Sequence, residues 1–377
     1  MKYLKLVSPK TFQFAFDYLA LSLIKKRGSG GGEKRKVCLL RLDGLGDVIL
    51  FADAIRVYRE LFDRAEHELT LITEDWIAPL FEECPNLDRV IGCQTMRYKI
   101  DTSYRREFLR GIRKSSYSVF INSCIERELH YGDNMAQASG AKYRLGFSPS
   151  PQRIREKVIG NLFYTTLAPY PGDELHETEK IAKLANFVAG KAVSPQKPRL
   201  GWFETADKGD YFIIAPGTRG PLKKWPEERF VQLCKVLYEE MRLTPVIVGG
   251  KDDVHTANSI TAASGGSVPF DNRVGKLDLP SVARLIAGAR FFVGNDSGPS
   301  HLSAAVGTKT FMIVHGASYR RYVSYPERLG CGLIPIHQED TSCFNCAGKC
   351  RYKVNEIFPC VEKVTVKQAK EIILGNC

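Results

Sequence analysis

Asp47 and the stretch Phe291–Thr310 hold the side chains whose type and spacing offer chemistry. An apolar run ends in Gly294-Asn295-Asp296-Ser297-Gly298, and an Ala-rich helical pattern carrying His301 follows. Glycine permits close backbone approach. The first amides of a helix lack internal partners, so such a turn can receive phosphate oxygens. Asp296 is no phosphate ligand; it suits a helix cap or a sugar or ribose hydroxyl. A capped core helix with no ligand is the plainer alternative. Asp43-Gly44-Leu45-Gly46-Asp47 forms a second turn between an apolar strand and a helix. A helix N-terminus favours ionised Asp47, which makes it either a base that is always available or an N-cap.

Two more strand-end loops carry complementary groups. Pro216–Pro226 (PGTRGPLKKWP) offers Thr218, Arg219, Lys223 and Lys224 to a diphosphate, unless the lysines are a solvated helix entry. Gly249-Gly250-Lys251-Asp252-Asp253 offers acids to ribose hydroxyls. Together the loops describe a nucleoside-diphosphate site. A carboxylate facing a sugar nucleotide meets the need of inverting transfer: it takes the acceptor's proton while cations stabilise the departing diphosphate. The third glycine of a dinucleotide fingerprint is missing, and no acid clearly ends a second strand, which weakens a nicotinamide reading.

The elements that must position these groups follow from periodicity. Strands are expected at Val37–Leu42, Leu69–Thr73, Arg89–Cys93, Tyr117–Asn122 and Tyr143–Phe147, then at Tyr211–Ala215, Thr244–Gly249, Arg290–Gly294 and Thr308–Val314. Helical stretches separate them: Val48–Phe62, Trp76–Glu83, Ser103–Lys114, Glu174–Gly190, Glu227–Met241, Val254–Ala263 and Pro280–Ala289. Alternation of this kind implies parallel sheets with helices on both faces. Two such series, separated by the proline-containing Ala192–Pro198, imply an α/β chain of two doubly wound domains facing a cleft. The expected organisation is an arm and linker at 1–33, an acceptor domain at 34–198, a nucleotide-sugar domain at 199–360, and a helix at 361–377 returning to the first domain.

The chain has 377 residues, is 44% hydrophobic and carries a formal charge of +12. Residues 1–36 hold nine Lys/Arg against Asp17 and Glu33, so +7 sits in the arm and +5 elsewhere. That distribution argues against a nucleic-acid-binding core. No apolar run reaches the ~18 residues of a membrane span. Thr11–Ile24 places Phe12, Phe16, Leu19 and Leu23 on one helical face ahead of Lys25-Lys26-Arg27. This suits either an anionic membrane surface or packing on the protein body. Gly28–Gly32 reads as a flexible joint.

RLDGLGDVILFADAIR, PGTRGPLKKWPEERF and GNDSGPSHLSAAVGT, in that order, resemble the motifs of the heptosyltransferases of lipopolysaccharide assembly, glycosyltransferase family nine. The resemblance covers roughly residues 36–317 and the last helix. It implies a GT-B fold of two Rossmann-like domains and a metal-independent transfer, with inversion, of a heptose or related sugar from an ADP-sugar to a glycan or lipid-linked acceptor. Carried over, it makes Asp47 the general base and places Thr218 and Lys223, with Lys224 beside them, at the donor phosphates and sugar. Asp252 falls near the ribose acid, Leu277 near the adenine pocket, and Asp296, Ser297, Gly298 and His301 on the strand-end motif. The basic run Arg97–Lys114, including Arg97, Arg105, Arg106 and Arg110, would hold an anionic core glycan, a solvated helix face being the alternative. Work in the cytoplasm, at the inner face of the inner membrane, is the implied setting.

Two features depart from the family. The arm is an addition. Cys343, Cys346, Cys350 and Cys360 offer four thiols in eighteen residues, enough for a structural zinc or iron; reduced thiols and a disulfide are the alternatives. The other cysteines resemble small core hydrophobes of a reducing compartment. Two further functions fit the same architecture: a sugar-nucleotide epimerase, which needs no acceptor, and a membrane-tethered nucleotide-binding scaffold without turnover.

Overall fold

Runs such as Val37–Leu40, Leu69–Ile72 and Phe212–Ala215 are buried at successive positions and apolar but for Thr70. Strands of that kind need cover on both faces, as parallel strands with crossover helices have. The computed structural model describes residues 34–194, 197–323, 325, 329, 332–338, 340, 342–352, 354 and 356–377. The amphipathic segment Thr11–Ile24 and its cations lie outside the described residues. No helix among the described residues is long and apolar enough to cross a membrane. Chain contacts divide the protein into two units, one within Met1–Asp43 and Ala54–Gln196, the other of Gly44–Asp53 and Lys197–Cys377.

The first unit has six parallel strands: β1 (Arg35–Leu40), β2 (His67–Glu74), β3 (Arg89–Cys93), β4 (Val119–Asn122), β5 (Tyr143–Phe147) and β6 (Thr166–Ala168). Their order is β3-β2-β1-β4-β5-β6. Leu40, Ile72, Tyr98, Leu109 and Phe120 share one core cluster. Past β1, fully buried Arg41 fans out to the Ser123 carbonyl at 2.6 Å, Asp43 at 2.8 Å and Glu177 at 3.2 Å. A buried guanidinium is tolerated only when opposite charges and acceptors surround it in this way. Its effect is to fix the chain just ahead of the Gly44 turn.

The second unit repeats the plan with β7 (Tyr211–Ala215), β8 (Thr244–Ile247), β9 (Asp271–Asn272), β10 (Phe292–Asn295), β11 (Thr310–Ile313) and β12 (Leu333–Ile336). The order β12-β11-β10-β7-β8-β9 is the first unit's order in its own numbering. In such sheets ligands bind outside the carboxyl ends of the strands where the winding reverses. Here that point lies between β7 and β10.

Three expectations need correcting. The final helix, Val366–Leu374, does not return to the first unit: Ala369 and Ile373 join the second unit's core, packed against helix Glu227–Met241. Its apolar stripe finds its partner there. Trp76–Glu83 contains only a 3-10 turn, Ala78–Phe81, with Pro79 in its opening positions. The segment Gly44–Asp53 groups with the second unit, although β1 before it belongs to the first.

Candidate active site

The loops after β7 and β10 are tied by one side chain. Asn295 donates from Nδ2 to the Pro216 carbonyl at 2.7 Å and accepts the Trp225 N–H on Oδ1 at 3.1 Å. Trp225 is fully buried, stands edge-on to Phe230 at 4.9 Å, and donates Nε1–H to the Val364 carbonyl at 2.9 Å. The Lys-Lys-Trp-Pro segment is thereby anchored at its Trp, which leaves Thr218 and Lys223 half-buried in the loop before it. Lys224 turns away from that loop: it pairs with Glu227 at 3.1 Å and bonds the Thr256 hydroxyl.

Helix Gly298–Ala305 begins at the end of β10. Ser300 Oγ donates to the Asn295 carbonyl at 2.7 Å. The Asp296 side chain is 9% exposed and meets His315 Nε2 at 3.2 Å. Burial raises its pKa to about 6, against the pull of Lys223. Ser297 and Gly298 are half-buried.

Asp47 stands in the first turn of helix Leu45–Leu61. Its turn lies on the β10 motif: a Cβ at Gly298 would come 2.8 Å from Leu45 Cβ, and one at Gly46 would come 3.1 Å from His301 Cδ2. At Gly298 only glycine permits that approach without a shift, and at Gly46 a side chain would press on the His301 ring. A Cβ at Gly44 would lie 3.4 Å from Arg219 Nη1 and 3.6 Å from Asp47 Oδ2, so guanidinium and carboxylate flank the same point. His301 is buried, with Nδ1 3.2 Å from the Tyr325 hydroxyl. Among the sequence candidates, the structure thus brings together Asp47, Gly298 and His301 around Gly44–Asp47, with Arg219 beside them.

After β8, Asp252 is exposed, whereas Asp253 turns inward, accepts the Gly250 N–H at 2.9 Å and lies against Gly217 and Gly249. Leu277 is half-buried.

Comparisons with known proteins point to one family. Residues 162–344 match the model of glycosyltransferase family 9 (heptosyltransferase). Lipopolysaccharide heptosyltransferase 1 of Escherichia coli K12 is 32% identical over 293 residues, which span 72% of this chain and 85% of that protein. The chain belongs to glycosyltransferase family 9. Lipopolysaccharide heptosyltransferase 3 of the same strain is 30% identical over 282 residues, covering 70% of this chain and 77% of that one. The E. coli heptosyltransferase WaaC, solved with ADP, superposes with a TM-score of 0.71 at 18% identity, covering 91% of this chain and all of that one. The family 9 enzyme therefore has the GT-B fold, built from two Rossmann-like units.

In this family 9 enzyme the basic run of the first unit does not act as one patch. Arg105 is buried and donates to the Tyr98 carbonyl at 3.1 Å, bracing helix Thr95–Ile100 against helix Thr102–Ser115. Arg97 pairs with Asp101 at 3.0 Å and lies over the Tyr104 ring. Arg106 is half-buried and Arg110 exposed. At 1.5 Å per residue, Arg110 is about 12 Å along its helix from Thr102.

Cys343, Cys346, Cys350 and Cys360 are half-buried free thiols that line one cavity of about 150 Å³ with Gly316 and Gln338. Burial pushes the Cys360 thiol up, partly offset by the Gly316 N–H it accepts at 3.3 Å. Among the described residues no three Cys, His, Asp or Glu side chains converge closely enough to hold a metal.

Sequence reasoning missed Arg41, Asn295 and His315 as positioning groups. Asn295 and His315 each stand at the carboxyl end of a buried strand, Asn295 where the winding reverses and His315 one strand further out; that position was the available signal.

Proposed function

We propose that this glycosyltransferase moves a heptose, or a related sugar, from an ADP-sugar to a hydroxyl of a lipopolysaccharide-core or other anionic glycan, with inversion. The observation that carries the reading is the meeting of the Asp47 carboxylate, Arg219 and the β10 motif around Gly44. In the proposed step the acceptor oxygen attacks the anomeric carbon as Asp47 takes its proton. The bond from that carbon to the phosphate oxygen breaks, and the electron pair leaves with ADP. Lys223, Arg219 and the helix amides at Gly298 take up the charge on the departing diphosphate. Thr218 lies with them at the phosphates, Asp252 and Asp253 at the ribose, Leu277 at the adenine and Asp296 at the donor sugar. His301, packed between Gly46 and Tyr325, orients the Asp47 turn. Of the four arginines, Arg97, beside its Asp101 partner, and Arg110 are exposed to an anionic acceptor. Heptose as the sugar is supported by the heptosyltransferase relatives, one of which, WaaC, was solved with ADP and with ADP-2-deoxy-2-fluoro heptose. Cytoplasmic action against lipid-linked acceptors, with the basic arm on an anionic surface, completes the reading.

Nucleotide-dependent melting tests the donor. At one hundred times its Kd, ADP should add about 2.7 kcal/mol of stability, while UDP and GDP at the same concentration add far less. Equal shifts for all three would end the ADP assignment.

The cysteine segment is proposed as a structural site for zinc or iron, apart from catalysis. Four thiols around one cavity offer the soft donor set such ions select, and binding would draw the sulfurs inward. Protein purified anaerobically from the cytosol should carry one zinc or iron per chain, lost on replacing Cys343 and Cys346 with Ser. Metal content at background removes the site.

A further inference from the structure

His315 follows β11, and its side chain is 3% exposed. Its Nδ1 accepts the Ala317 N–H at 3.3 Å, and its Nε2 lies 3.2 Å from Asp296 Oδ2. A ring nitrogen that accepts carries no proton, so the proton of the neutral ring is on Nε2, the nitrogen 3.2 Å from Asp296 Oδ2. Burial, reinforced by Lys223, holds the imidazolium pKa down at about 3, so the ring stays neutral at working pH. A neutral donor orients a carboxylate without cancelling its charge.

The loop that carries His315 is gripped by the cysteine-bearing segment. Gly316 donates its N–H to Cys360 Sγ at 3.3 Å, and its carbonyl accepts from the Asn345 N–H at 2.7 Å. The Ala317 carbonyl accepts from the Ala347 N–H at 2.9 Å. The Phe344 ring fills the place where a Gly316 Cβ would stand. The imidazole stacks on Phe358 with centroids 6.3 Å apart and planes 27° off parallel. These contacts fix the Ala317 amide that sets the tautomer, and hence the direction of the Nε2 proton.

We propose that His315 is a positioning residue for Asp296: its Nε2–H engages Oδ2 and turns Oδ1 to a donor-sugar hydroxyl, with Phe344, Asn345, Ala347, Phe358 and Cys360 holding the ring in register. This rests on the reading of Asp296 as the carboxylate facing the donor sugar. The groups that face Asp296 are His315 after β11 and Lys223 after β7. Lys223 contributes charge, and His315 contributes direction.

The test uses full-length wild type, His315→Gln, His315→Phe and His315→Asn. The Gln amide nitrogen reaches the Nε2 position; Asn stops short of it and Phe has no donor. A hydrogen bond to an ionised group is worth roughly one to two decades of equilibrium constant. Phe and Asn should therefore weaken ADP-heptose binding about 10- to 100-fold, leave the ADP Kd within about twofold, and raise the acid limb of kcat/KM by about one pH unit. Gln should stay within about threefold of wild type with an unmoved limb. Equal loss of ADP and ADP-heptose would mean a merely structural role, and a Gln variant as weak as Phe would equally overturn the proposal. Should wild type bind ADP-heptose no better than ADP, the donor-sugar reading fails by itself. The Asp296 carboxyl shift, followed by carbon NMR, then still decides the contact: an unchanged titration in the Phe and Asn variants overturns it.

Discussion

Asp47→Asn is expected to slow transfer by about 10²–10⁴ and leave ADP binding intact. The change is isosteric, so the turn that packs on Gly298 and His301 keeps its shape. The amide still hydrogen-bonds but cannot accept the acceptor's proton. A positioned general base contributes about 10²–10⁴ in rate, and kcat should fall by that amount with the ADP Kd unchanged. Single-turnover transfer from ADP-heptose to a purified core glycan, beside calorimetry with ADP, separates the two quantities. Turnover within tenfold of wild type would dismiss Asp47 as the base. A parallel loss of ADP affinity would instead assign Asp47 to the donor loop.

Trp225→Ala costs the second unit much of its stability. The side chain is fully buried, packs on Phe230, and sits in the cluster that also holds Val364, Ala369 and Ile373. Truncating such a residue costs about 3–5 kcal/mol. It also leaves the Val364 carbonyl with one partner fewer, Arg229 remaining at 2.8 Å. For a unit of this size each kcal/mol lowers Tm by roughly 2–4 °C, so a fall of about 10 °C is expected by calorimetry. The last helix should loosen first, with earlier hydrogen exchange at Val366–Leu374 than in the first unit. A variant that melts within about 2 °C of wild type, the shift of a single kcal/mol or less, would show that the indole carries no such load. Activity should fall as well, because the anchored end of the Lys223 loop is lost.

Legibility followed the strength of the local signal. Arg89–Cys93, Tyr143–Phe147, Tyr211–Ala215, Glu227–Met241 and Val254–Ala263 have the bounds expected from periodicity. Each is an apolar run or helical pattern between clear breaks. β6, β9 and β12 were missed. Thr166–Ala168 is too short for any period, and Asp271–Asn272 is polar. Leu333–Ile336 contains Pro335, a residue that argues against a central strand; β12 lies at the sheet edge, where proline is tolerated. The site divides the same way. Glycine turns announced Asp47 and the β10 motif because close approach demands glycine. Lys223 and Lys224 look alike in sequence, yet the fixed Trp225 sends Lys224 to Glu227 and Thr256. Arg105 reads as a surface cation, but the fold between two adjoining helices buries it against the Tyr98 carbonyl. His315 carries no motif. Its meaning lies in a neighbour nineteen residues away in sequence, which only the pairing of β10 with β11 brings alongside.

The amide of Asn295 has a bearing on how this enzyme can drift under mutation. Its planar group offers a donor on one side and an acceptor on the other, and both are spoken for in a fully buried place. Aspartate, one base change away, has the same outline but sets a carboxylate oxygen against the Pro216 carbonyl. Glutamine offers the right atoms on a stem one methylene too long for a packed interior. Serine and alanine leave a carbonyl and an amide without their bonds. Each of these replacements leads downhill, so the route by which the two loops might come to hold a different nucleotide does not pass through this residue.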